Sequence, residues 1–235
     1  MHRDKRLTIF YHVVRTAMAL LIVASIINIF IQADDADISR NIFVIIQAII
    51  LLLLSYGPPA MEKRFKLEIP DFLEGIFLIF IIAALIFGEV AEFFVKISWW
   101  DDMLHTTSGV LVAITSFSII NRAAKNPNNT LSFSPLFIAI FVFCFSMTIE
   151  AVWELFEYTI DSLSASSNMM RTVDSVTLVP FQGLDAIRDT MHDIILAFFS
   201  SLTVSIIGYF DAKNGLKFFK KWLISAVEAD NQPSS

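Results

Sequence analysis

Charge is scarce in this sequence of 235 residues: Asp, Glu, Lys and Arg together make up 17%, while hydrophobic residues make up 56%. With a mean hydropathy of +0.67, the chain carries more apolar surface than a soluble domain of its size can bury, and a bilayer is its natural solvent. There is one cysteine, Cys144, inside a hydrophobic run, so no intrachain disulfide can form and the redox compartment stays unread. Low-complexity tracts, internal repeats and a separate soluble domain are missing. So are a glycine-rich phosphate loop and a serine-nucleophile motif. Basic residues are too scattered to support nucleic-acid binding. What the chain does have is 23 phenylalanines, large apolar groups suited to lipid contact and helix packing.

Six apolar segments follow from a pass along the chain: Phe10 to Ile31, Asn41 to Tyr56, Phe72 to Phe94, Trp99 to Ile120, Pro135 to Glu157 and Asp189 to Tyr209. A spanning segment must satisfy its own backbone hydrogen bonds, and these runs are too long for barrel strands, so they predict helices. The first is long enough, at the ~20 residues a span needs, to read as an uncleaved helix rather than a signal peptide. The second is the shortest. Turn signals separate them, including Gly57-Pro58-Pro59 and Asn126-Pro127-Asn128-Asn129. The expected fold is all-α: one polytopic integral membrane domain, a bundle of about six transmembrane helices.

Basic residues set its orientation. Arg3, Lys5, Arg6, Lys63, Arg64, Lys66, Arg122, Lys125, Lys213, Lys217, Lys220 and Lys221 fall on one side; Arg40, Lys96, Arg171 and Arg188 fall on the other; Arg15 lies within helix 1. By the positive-inside rule the richer side is cytoplasmic, which places both termini there. The acidic first outer loop, Asp34-Asp35-Ala36-Asp37, agrees.

The acids gather at the opposite, extracytoplasmic end of helices 3 to 6. Helix 3 ends with Glu89 and Glu92, helix 4 begins with Asp101, Asp102 and His105, helix 5 ends with Glu150, Glu154, Glu157 and Asp161, and helix 6 begins around Asp185, Asp189, His192 and Asp193. Residues three, four and seven apart share a helix face. Glu150, Glu154, Glu157 and Asp161 therefore form one stripe. Asp101 with His105, and Asp189 with His192 and Asp193, have metal-ligand spacings. Asp101, Asp102, Asp185 and Asp189 stand at helix N-termini, where capping and the macrodipole alone account for a carboxylate. Glu89, Glu92, Glu154 and Glu157 stand at C-termini, where the dipole disfavours them. A carboxylate within a membrane helix costs about 2.5–3.5 kcal/mol and faces the protein interior, a water-filled cavity or a partner.

Eleven acids in this cluster face three bases, Lys96, Arg171 and Arg188. The excess must be solvated, must share protons, or must bind a cation. His2 and His12 lie at the cytoplasmic start and read as structural or solvated. His105 and His192 sit beside acids on two different helices, where each is either a packed hydrogen-bonding residue or a ligand. Two histidines with carboxylates suit Zn²⁺, Mn²⁺ or Fe²⁺, and carboxylates alone suit Mg²⁺ or Ca²⁺, so the expected cofactor is a divalent metal ion of unspecified identity. The loop from about Ser162 to Arg188 is long enough for a lid or substrate platform. It contains Ser164-Ala-Ser-Ser167 and Pro180-Phe-Gln182-Gly183.

Three motifs carry a family resemblance: Asp101-x-x-x-His105-x-x-x-Gly109, the pair Glu154-Leu-Phe-Glu157 after an aromatic, and Gln182-Gly183 followed by Asp189-x-x-x-Asp193. Together they resemble the YjdF-like bacterial inner-membrane family, from helix 3 through helix 6, about half the chain; the first two helices match only in hydrophobicity. The resemblance marks Asp101, His105, Glu154, Glu157, Asp189 and Asp193. Leu184 stands where the pattern places an acid, and Asp185 follows one residue later. The resemblance implies a multi-pass protein of the bacterial plasma membrane and supplies no reaction.

Three functions compete. A metal-dependent hydrolase or transferase acting on a lipid or envelope precursor would use the acidic and histidine site, with a glutamate as base. A cation- or proton-coupled transporter would need the polar path to continue, yet Leu136 to Met147 is almost wholly apolar and Glu74 and Arg15 are the few inner candidates. A non-catalytic scaffold or sensor would use the acids only to order the bundle. Primary candidates for the site are Asp101, His105, Glu150, Glu154, Glu157, Asp189, His192 and Asp193; Glu89, Glu92, Asp102 and Asp185 are secondary. The lipid bilayer is the expected partner, and oligomeric state is unread.

Overall fold

The computed structural model of the chain describes residues 4–31, 35–124, 133–163, 168–174, 177–215, 217–222 and 225–226. His2, Arg3, Asp34, Lys125, the Asn126–Asn129 turn and Ser164–Ser167 lie outside them, as do the side chains of Asp35, Asp37, Arg122, Lys220 and Lys221. The chain folds as two compact units, Met1–Glu92 with Ile224–Ser235, and Phe93–Leu223. Among the described residues, six helices are long and apolar enough to cross a membrane.

The first unit holds α1 (Lys5–Ile31), α2 (Asp35–Leu54), α3 (Gly57–Phe65), α4 (Asp71–Ile82) and a π-helical continuation of α4 (Ala83–Val90). Strands β1 (Leu67–Glu68) and β2 (Ser225–Ala226) add a two-residue antiparallel ladder. In α1 the buried positions Leu7, Tyr11, Val14, Met18 and Ser25 recur at spacings of three, four and seven, so one face packs inward. Leu7, Tyr11 and Met18 meet Ala48 and Leu51 of α2 and Leu78 and Ile81 of α4. Leu20, Val23, Ile27 and Phe30 point outward, which only lipid makes tolerable.

The second span is longer than the sequence predicts, running through α2 and α3 with a break at Ser55-Tyr56 that Pro58 and Pro59 enforce at the start of α3. Arg15 meets the carbonyl this break frees. Its guanidinium donates to Ser55 O at 2.7 Å and Ser55 Oγ at 3.1 Å and lies 3.8 Å from the Tyr56 ring centroid. Beside it Tyr11 donates its hydroxyl to the buried Glu74 carboxylate at 3.1 Å.

The third span also departs from the expected straight helix to Phe94. A π-type bond from Ala91 N–H to Ile86 O (2.8 Å) closes it, and Glu92 takes a left-handed backbone (φ 62°). Local under-winding of this kind adds a residue to the turn, and the left-handed Glu92 that follows ends the helix.

The second unit is a bundle of α6 (Trp100–Ala124), α7 (Pro135–Leu163) and α8 (Arg188–Lys213), preceded by the four-residue α5 (Phe93–Lys96). All three long helices pack against one another. Helices α6 and α8 run parallel and unusually close. A side chain at Gly109 would lie 3.2 Å from Ala197 O and collide with Ser200 Oγ, and one at Gly208 would lie 2.6 Å from the Phe117 ring. Small residues at such a seam let backbones approach, which is how helices gain packing energy in lipid.

Candidate functional site

The buried face of α7 changes character along its length. Ile138, Ala139 and Val142 are followed by Ser146, Glu150, Glu154 and Glu157, while Ile149, Val152, Leu155 and Phe156 are exposed. The apolar side of this helix faces out and the acidic side faces in, the reverse of a soluble amphipathic helix and the arrangement membrane helices use for functional acids. Helix α6 brings Asp101 and His105 to the same place, four residues apart on one face, both buried. Helix α8 brings Asp193, which is 1% exposed. The Gly109 contact, one turn beyond His105, is what lets α8 come near enough.

His105 is the hub. Its Nδ1 lies 2.6 Å from Glu150 Oε1, so the Glu150 carboxylate accepts the Nδ1 proton and fixes the ring. Its Nε2 faces Asp101 Oδ1 at 3.6 Å and Asp193 Oδ2 at 3.9 Å. Both separations are too long for hydrogen bonds. Asp193 Oδ2 has no hydrogen-bond partner among the described residues, and Glu154, which is 6% exposed, has only the Thr190 hydroxyl beside it. Burying carboxylates with so little compensation costs several kcal/mol, which a proton or a cation among these oxygens would relieve.

Above the cluster the chain forms a small built hairpin. Asp161, at the end of α7, accepts the N–H groups of Met169 (2.9 Å) and Met170 (3.0 Å). The Asn168 amide brackets Val173, accepting its N–H and donating to its carbonyl. Phe181 N–H to Thr172 O and Asp174 N–H to Val179 O close the ladder. This scaffold holds Arg171 in a left-handed conformation (φ 47°) and aims its guanidinium at Asp101 Oδ2 (3.3 Å) and Asp189 Oδ1 (3.4 Å).

Other candidates are placed differently. His192 Nδ1 lies 3.2 Å from Asp102 Oδ1 at a more exposed edge. Glu157 accepts a hydrogen bond from Trp153 Nε1 at 2.8 Å. Asp185 pairs with Arg188 at 2.7 Å on an exposed turn and is a solvated ion pair. Glu89 and Glu92 belong to the first unit, where Glu92 lies 3.6 Å from Arg40. Reading the sequence missed the part played by Arg171, counted there only as a nearby base. The left-handed residue that aims it has no glycine or asparagine to announce it.

Three groups of side chains can each bring ligand atoms within 4.8 Å of one another: Asp101, His105 and Asp193; His105, Glu150 and Glu154; and Asp102, His192 and Asp193. The first suits a divalent metal best, because Glu150 engages Nδ1 and leaves Nε2 for the ion. A carboxylate holding the far nitrogen of a ligand histidine is the usual outer support of such sites. One imidazole with two carboxylates fits Zn²⁺, Mn²⁺ or Fe²⁺.

Fold and cluster together define a helical membrane protein with a buried carboxylate and histidine centre. The chain belongs to the YjdF-like family described as "Predicted membrane protein (DUF2238)", whose model matches residues 13–214 and so takes in most of the first helix and all of the second as well. No curated protein and no solved structure matches it.

Proposed function

We propose that this chain is a metal-dependent hydrolase or transferase of the bacterial plasma membrane, acting on a lipid or envelope precursor. The observation that carries the reading is the buried Asp193 Oδ2, with no hydrogen-bond partner among the described residues, 3.9 Å from the imidazole Nε2 of His105. Asp101, His105 and Asp193 would hold the ion. A divalent ion bound there would supply a Lewis acid and lower the pKa of a coordinated water. Glu150 keeps the His105 ring oriented. Glu154, buried beside the Thr190 hydroxyl, is the base. Arg171, whose planar fork suits phosphate and carboxylate alike, is the anchor for an anionic group on the substrate.

A lipid-bearing substrate is favoured by the rim. Leu178, Val179, Leu184 and Ile187 are exposed on the segment that carries Arg171, an apolar edge suited to the interface of a bilayer. The distribution of basic residues puts both termini in the cytoplasm and this rim outside, which periplasmic labelling of a cysteine placed at Leu184 would check.

Purified protein in mild detergent should hold a stoichiometric divalent ion by elemental analysis, and His105→Ala should lose it. Equal, substoichiometric metal in both would overturn the reading. A metal-independent role for the acids predicts instead that Asp193→Asn changes thermal stability and leaves metal content alone.

Transport has one observation in its favour: Ser146, Ser200, Ser201 and Ser205 line the buried seam beyond the cluster. Each hydroxyl, however, donates to a carbonyl of its own helix, as Ser146 to Val142 and Ser205 to Ser201 at 2.8 Å. Hydroxyls used in this way pack helices together and offer little to a passing ion.

A further inference from the structure

Asp193 belongs to two groups of ligand atoms. One is the buried set with Asp101 and His105; the other is the set with Asp102 and His192. The two sets are built from neighbouring residues on the same helices: Asp101 and Asp102 on α6, His192 and Asp193 on α8. Consecutive residues on a helix point about 100° apart, so each helix divides its ligands between an inner and an outer position. Asp193 is the carboxylate that both positions share.

An ordinary ion pair accounts for the 3.2 Å contact between His192 Nδ1 and Asp102 Oδ1. It does not account for a third carboxylate beside them. Asp193 is almost wholly buried and its Oδ2 has no hydrogen-bond partner among the described residues. An acid added beside an imidazole and carboxylate pair is relieved by a shared proton or by a cation between them, and the ligand atoms of all three lie close enough to hold one. Charge points the same way. Asp101, Asp102, Glu150, Glu154, Asp189 and Asp193 converge here, and one divalent ion with Arg171 offsets only half of their charge.

We infer that the protein binds two divalent cations, the second at Asp102 and His192, with Asp193 bridging it to the first. The inference rests on the metal-site reading proposed above and adds a second, outer position. His192 and Asp102 have side chains 52% and 38% exposed, so the outer ion is the exchangeable one and keeps coordination positions open to a substrate oxygen. Paired ions bridged by a carboxylate serve reactions at phosphate esters and related groups, where both attacking and leaving oxygens need stabilising.

The test is stoichiometry on the full chain in detergent micelles. Mn²⁺ is titrated into metal-stripped protein and followed by calorimetry and electron paramagnetic resonance. Wild type should bind two ions per chain with the signature of an exchange-coupled pair. His192→Ala and Asp102→Asn, both at exposed positions, should each bind one ion with an uncoupled signal. One ion in wild type and one in both variants overturns the second site and leaves the one-ion reading standing. Two ions in the variants also overturn it. No bound ion in wild type overturns both readings.

Discussion

The two units treat buried charge differently. In the first, Arg15 spends its guanidinium on the Ser55 carbonyl and hydroxyl, Glu74 accepts the Tyr11 hydroxyl, and Glu62 accepts the Ile69 N–H at 2.9 Å. Every one of these groups has a partner, and each closes a gap in the backbone or ties one helix to another. In the second unit Asp211 is satisfied in the same way, by the Phe218 and Phe219 N–H groups, but Asp193 is more deeply buried still and presents an oxygen with no hydrogen-bond partner among the described residues. Burial of a charge is therefore a poor guide to function in this chain. What separates structure from site is whether the group is satisfied by the protein itself.

Arg15→Ala should have the largest effect on stability, because it strands the Ser55 carbonyl at the break between α2 and α3. A loss of about 2 kcal/mol is expected, read as a lower thermal midpoint in detergent with metal content unchanged. If metal were lost as well, the contrast between the units would fail. Glu154→Gln should do the reverse. Removing a buried charge compensated only by the Thr190 hydroxyl raises the stability of metal-stripped protein by about 1 kcal/mol, while the stabilisation gained on adding metal shrinks. A drop in stability of the stripped protein would show that Glu154 is satisfied after all.

Asp161→Asn weakens the clamp on Met169 and Met170 and so loosens the hairpin that aims Arg171. An increase in proteolytic cutting between residues 168 and 182, with a cost of about 0.5–1 kcal/mol, is expected. Asp185→Asn is the smallest. Its pair with Arg188 is solvent-exposed, so stability should move by less than about 0.5 kcal/mol and metal stoichiometry not at all.

Much of the fold was legible because length and hydropathy are local properties, and they specify six spanning segments without tertiary knowledge. The ends and breaks were less so. Pro58 and Pro59 announced a turn, yet helix resumes after them because proline is tolerated in the first turn. The π segment at Ala83–Val90 carries no proline to betray it. Within the site, the stripe of Glu150, Glu154 and Glu157 and the pair Asp101 and His105 were legible from their spacing on a helix. The contact of His105 with Glu150 spans 45 positions, and no periodicity within a helix reports the register between two helices. Glu89 and Glu92 were grouped with the other acids because hydropathy alone assigned them to the same membrane face. The sequence could not report that a left-handed residue ends that helix and that Glu92 lies beside Arg40.

The parallel course of α6 and α8 has a consequence for how the protein is made. Two parallel spanning helices cannot be neighbours in sequence; α7 must return between them, so Asp189, His192 and Asp193 are the last side chains of the cluster to emerge from the ribosome. Until α8 is delivered to the bilayer, His105 has Glu150 for company but lacks Asp193. The buried cluster is thereby completed only when α8 is in place, and a chain cut short after α7 carries the acids of α7 without their counterparts from α8.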